Sequence, residues 1–160
     1  MTVRIRPAQI SDAADIGRLT SQLGYDLEAP VVATRLSKAL SRTDQHFLVA
    51  ALDQRVVGWA HVVIWEFLET GRFGMIAGLV VDSPHRRTGI GRSLMEHAEA
   101  WIRDQKCSGA RLWSSAGRTA AHRFYEALGY TNIKTQYSFA KALGPEQIDL
   151  LKSYVPHVEE

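Results

Sequence analysis

The chain has 160 residues, of which 46% are hydrophobic and 22% charged, with a formal net charge of +2. That composition excludes a disordered polymer, and so small a charge does not call for nucleic acid as a partner. A single cysteine, Cys107, excludes an internal disulfide and a cysteine-rich metal site, and no apolar run reaches the roughly 18 residues needed to cross a bilayer.

In chain order, Val3-Arg4-Ile5-Arg6 alternates as a strand does. Ser11 then stands where a helix cap belongs, Asp12 and Asp15 follow in the first turn, and Ile16, Leu19 and Leu23 fall on one face before Gly24. A second helical pattern follows Pro30, with Val32, Leu36, Ala39 and Leu40 on one side. The period then changes to two. Residues 46–52 and 56–65 read as a hairpin turned at Asp53-Gln54, and residues 73–81 as a third strand in which Gly78 marks a bulge or a close backbone approach. Ile90, Leu94, Ala98, Trp101 and Ile102 restore the helical period. Residues 110–114 read as a short strand, 118–128 as a helix stopped by Gly129, 136–142 as a last strand and 145–154 as a terminal helix. Consecutive strands followed by two strand–helix crossovers describe a mixed sheet with helices on its faces. No linker or repeat divides the chain, so residues 1–160 form one domain in this reading.

The most specific feature is Leu79-Val80-Val81, then Asp82-Ser83-Pro84-His85, then Arg86-Arg87-Thr88-Gly89-Ile90-Gly91-Arg92 opening a helix. The first N–H groups of a helix have no intrahelical partner and carry a partial positive charge. Glycines let an anion approach them, and arginines add charge and forked donors. Thr88 as a plain helix cap is the alternative. A dinucleotide loop would follow the first strand, and the Gly-Lys-Ser/Thr of a nucleotide P-loop is missing.

The pattern Arg86-x-x-Gly89-x-Gly91 after an apolar strand resembles the acetyl-CoA loop of the GNAT N-acetyltransferase superfamily. Ile5-Arg6-Pro7-Ala8 with Asp12-Ala13 resembles its start, and the run from Ala121 through Phe124 and Tyr125 to Gly129-Tyr130 its penultimate helix. The resemblance implies an α+β fold whose mixed, mostly antiparallel central sheet has six to seven strands, splayed in the middle and flanked by four or five helices. It implies acetyl-CoA as co-substrate, no metal, and acetyl transfer to a primary amine on a small molecule or peptide by direct attack. Backbone groups of Leu79 and Val81 would meet pantetheine, and N–H groups from Arg87 to Arg92 the pyrophosphate. Tyr125 matches the tyrosine that protonates the departing thiolate.

Two departures from the pattern stand out. Arg118 replaces a common asparagine and would meet a phosphate instead. The strand glutamate that often serves as base is missing near Ala77 and Gly78. Glu66 is the first candidate in its place, with Glu69, His61, Asp26 and Glu28 behind it, and the four acids would favour a cationic amine. Trp65, beside Glu66, is the tryptophan placed for substrate stacking. A non-catalytic acetyl-CoA-binding module is the rival reading. A cytoplasmic enzyme is expected, without nucleic acid or membrane partners, pairing as a homodimer through residues 136–139.

Overall fold

The computed structural model describes residues 2–145; the terminal helix expected over 145–154 lies almost wholly outside them. Five strands form one sheet in the order β1 (Val3–Pro7), β2 (Gln45–Leu52), β3 (Arg55–Phe67), β4 (Gly71–Val81) and β5 (Ala110–Leu112). The first four are antiparallel neighbours, and β5 joins β4 in parallel. Four α-helices accompany them: α1 (Ala13–Ser21), α2 (Ala29–Leu40), α3 (Ile90–Asp104) and α4 (Thr119–Ala127). By contacts within the chain, the residues through Trp113 form one compact unit and those from Ser114 another.

Among the described residues the sheet therefore has five strands, not the six to seven expected. Residues 136–142 make no ladder among the described residues, and Tyr137 and Phe139 are 89% and 93% exposed. Alternation specifies which face a strand would bury, but a strand also needs a neighbouring edge to satisfy its backbone.

In the first unit, α1 and α2 cover one face of the sheet through Ile16, Leu19, Val32, Leu36 and Ala39, which pack with Phe47, Val49, Trp59 and Val80. Helix α3 buries Ile90, Leu94, Met95, Ala98 and Ile102. It comes close because a β-carbon at Gly58 would meet Leu94, Ile90 and the Val80 carbonyl, and one at Gly74 would run into Ile102. Burial of each such side chain contributes about 1.5–3 kcal/mol.

The ladder between β3 and β4 slips at one point. His61 pairs with Gly78 and Val62 with Ile76, leaving Ala77 as an unpaired, exposed bulge residue. Gly78 is required there, since a β-carbon would lie 2.6 Å from the Trp59 ring.

Candidate active site

Strand β5 pairs with β4 only from Gly74↔Ala110 to Ile76↔Leu112, while β4 continues to Val81. On the β5 side, the stretch holding Ala77, Leu79 and Val81 therefore has no strand neighbour among the described residues. The ladder with β5 stops at Ile76, one residue before the bulge at Ala77.

Beyond β4, a short turn of 3-10 helix at Ser83–His85 leads to α3, whose N-cap is Gly89 at φ 89°. Only glycine takes that left-handed geometry at little cost. No side chain caps this end, and the first intrahelical bond runs from Ser93 N–H to the Gly89 carbonyl at 3.0 Å. The N–H groups of Ile90, Gly91 and Arg92 thus precede any i→i−4 partner. Thr88 is not the cap: its hydroxyl donates to the His85 carbonyl at 2.6 Å. Arg87 holds φ 61° without being glycine, and both it and Arg92 are exposed. Arg86 instead folds back, donating from Nε to the Val81 carbonyl at 3.0 Å and from Nη2 to Gln22 Oε1 at 3.3 Å.

A polar clasp from α1, which the sequence reading missed, holds this loop. Asp82 is buried and accepts from Arg18 Nη1 and Gln22 Nε2, each at 2.8 Å. Gln22 Oε1 also accepts from the Ser83 N–H at 3.1 Å. Arg18 reaches the Val56 carbonyl, and Asp15 accepts from the Val56 N–H, so β3 is tied in as well. Burial alone would raise the Asp82 pKa, but the bonds from Gln22 and Arg18, with the charge of Arg18, outweigh it and hold the carboxyl below its usual value. The signal was present in the spacing: Asp15, Arg18 and Gln22 recur at helical intervals on one face.

Of the base candidates, His61 lies opposite Gly78, with Nε2 2.9 Å from Gln45 Oε1 and its ring stacked on Phe47. Burial lowers its pKa, which keeps it neutral near pH 7. Glu66 is exposed, in register with Arg72, and by strand alternation sits on the face opposite Trp65. Asp26, Glu28 and Glu69 are exposed too. Trp65 belongs to an aromatic group with Phe67, Phe73 and Trp113. Among the described residues no cluster of His, Cys, Asp and Glu could hold a metal, and no helix is long and apolar enough to cross a membrane.

In the second unit, Arg118 is the exposed N-cap residue of α4. The helix ends in a Schellman arrangement: Tyr130 N–H bonds to the Tyr125 carbonyl and Gly129 N–H to the Glu126 carbonyl, both at 3.0 Å, with Gly129 at φ 93°. The rings of Tyr125 and Tyr130 meet at 6.1 Å, which fixes Tyr125. Burial raises the phenol's pKa, partly offset by Arg118.

The model of the Acetyltransferase (GNAT) family matches residues 17–130. The chain belongs to that family. An aminoglycoside N(6')-acetyltransferase type 1 of Stenotrophomonas maltophilia is 28% identical over 146 residues, covering 88% of this chain and 94% of the relative. Among solved structures, an aminoglycoside N-acetyltransferase in complex with CoA has a TM-score of 0.76 at 17% identity, over 87% of this chain and 99% of that one. Glucosamine-6-phosphate N-acetyltransferase from Arabidopsis thaliana has 0.76 at 24% identity, over 88% and 99%. This GNAT member therefore carries an α+β fold with, among the described residues, a mixed five-stranded sheet and four α-helices.

Proposed function

We propose that the whole chain acts as one acetyl-CoA-binding domain and transfers the acetyl group to a primary amine by direct attack in a ternary complex. The observation that carries this reading is the uncapped start of α3 at Gly89, preceded by a bulged, one-sided strand, in a GNAT chain. The N–H groups of this helix start suit a pyrophosphate, with Arg87 and Arg92 adding charge; Leu79 and Val81 offer backbone to pantetheine.

In the reaction, the amine lone pair attacks the thioester carbonyl carbon. The C–S bond then breaks, and the nitrogen gives up a proton as the thiolate gains one. Proximity and backbone donors near the bulge stabilise the oxyanion. Tyr125 supplies the thiolate's proton, and Arg118 reaches a phosphate. For the base, His61 is better placed than Glu66, which lies five residues further along β3, about 17 Å away at the usual strand rise. The names of the relatives make amino sugars the first acceptors to try, with peptide amines second. A cytoplasmic setting fits this reading.

Ala77 and Gly78, where many members have a glutamate, favour the second reading, a module that binds acetyl-CoA without turnover. Calorimetry with acetyl-CoA, together with thiol release over an amine panel, separates the two. Binding with amine-dependent release supports the enzyme, and binding without release for any amine supports the module. No binding sinks both.

A further inference from the structure

Among the described residues three arginines are not exposed: Arg6, Arg18 and Arg111. Two have carboxylates. Arg6 donates to both oxygens of Asp12 at 2.8 and 2.9 Å, and Arg18 bonds Asp82 at 2.8 Å and Asp15 at 3.4 Å. Arg111 has no carboxylate and no hydrogen-bond acceptor among the described residues; its guanidinium lies 5.0 Å from the centre of the Phe73 ring. A half-buried cation with unfilled donors costs folding free energy, and a cation–π contact offsets only part of it. No described residue supplies its counter-ion, which leaves a position that suits an anion.

The surroundings narrow what that counter-ion belongs to. Arg111 is in register with Met75, which puts it on the sheet face that bears Phe73 and Trp65. Trp113, two residues on, shares that face and meets Trp65 edge-on, with ring centres 5.1 Å apart. Trp113 is 65% exposed and Phe67 44%, so open aromatic surface adjoins the half-buried charge. Arg111 also directly precedes Leu112, whose pairing with Ile76 is the last between β5 and β4. It stands near the end of the β4–β5 ladder, close to the Ala77 bulge. The strand offers Ala77 there and no acid. A polycationic amine would meet the charge of Arg111 unopposed.

The geometry points to Arg111 as the specificity residue for an acceptor amine that also carries an anion, a carboxylate or a phosphate, on a flat-faced body. This rests on the acetyl-transfer reading above. A planar guanidinium offers a carboxylate or phosphate two parallel donors, and the rings of Trp113 and Trp65 take the flat face of the ligand.

The test uses acceptor pairs that differ only in the anion: phenylalanine against phenethylamine, and glucosamine 6-phosphate against glucosamine. In the wild type at least one member that carries the anion should exceed its partner without it in kcat/KM by at least about tenfold. Which pair does so separates carboxylate from phosphate. Arg111→Met should bring that ratio to within about twofold of one, with the KM for acetyl-CoA moving by less than about twofold. Arg111→Lys keeps the charge without the fork and should leave an intermediate ratio; it also serves if the Met variant does not fold. Ratios near one in the wild type, a ratio unchanged in either variant, or preference for a polycationic amino sugar over both anionic acceptors overturns the proposal. If acetyl-CoA binds but no amine turns over, the acetyl-transfer reading itself has failed. Tryptophan fluorescence then decides the role of Arg111 separately. Quenching by an anionic amine that is lost in Arg111→Met supports it, and no quenching or equal quenching overturns it.

Discussion

Tyr125 gains its chemical character from where its helix stops. Gly129 turns the chain into the left-handed region, the Tyr130 N–H returns to the Tyr125 carbonyl, and the two rings meet. A phenol fixed and half-buried in this way stays protonated well past neutral pH, because burial raises its pKa above 10. It is therefore an acid across the range in which a larger share of the amine becomes free base. Tyr125→Phe keeps the ring and its packing and removes the donor. Turnover at saturating acetyl-CoA should fall by at least about tenfold, a low bound for general acid catalysis, while the KM for acetyl-CoA changes little. The wild-type rate should rise with pH through the pKa of the amine and show no loss attributable to the phenol below about 10. Full turnover in the variant, where chemistry limits the rate, would remove Tyr125 from the mechanism.

At the level of elements, one carboxylate is the charged centre of the link between α1 and the loop before α3. Asp82 receives two side-chain hydrogen bonds while its own N–H bonds the Val57 carbonyl at 2.8 Å. Replacing it by Asn keeps the shape but removes the charge that answers Arg18. Hydrogen bonds to charged groups contribute about 1.5–3 kcal/mol, so Asp82→Asn should lower Tm by several degrees at pH 7. The sign with pH follows from the lowered pKa. Stability from Asp82 is complete above the unfolded aspartate value of about 3.9 and disappears as pH falls through the lower folded value. The gap in Tm between wild type and variant should therefore close in acid. A constant gap down to about pH 2 would mean the stabilisation is not the carboxylate's charge.

For the whole molecule, what the sequence made legible was whatever a local rule governs. Gly89 and Gly129 occupy left-handed positions at helix ends, Gly78 sits at a bulge, and the stripe on α3 is buried as its period requires. What it hid depends on distant neighbours: the clasp of Asp82 to α1, the face shared by Arg111, Phe73 and Trp113, and the lack of any ladder at residues 136–142 among the described residues. That last difference leads to a prediction about assembly. Ile133, Tyr137, Phe139 and Leu143 are large, apolar and exposed on a stretch whose alternation suits a strand. Exposed apolar side chains that alternate as in a strand suit pairing with another chain, and a second copy supplies an identical stretch. Sedimentation at micromolar concentration should give a mass near twice the 17.8 kDa of the chain. Tyr137→Glu with Phe139→Glu places two like charges on this stretch of each copy, so the double variant should sediment near 17.8 kDa while its melting changes with dissociation alone. A wild-type mass near 17.8 kDa at every concentration rejects pairing. A dimer that survives both glutamates moves the interface away from residues 136–139.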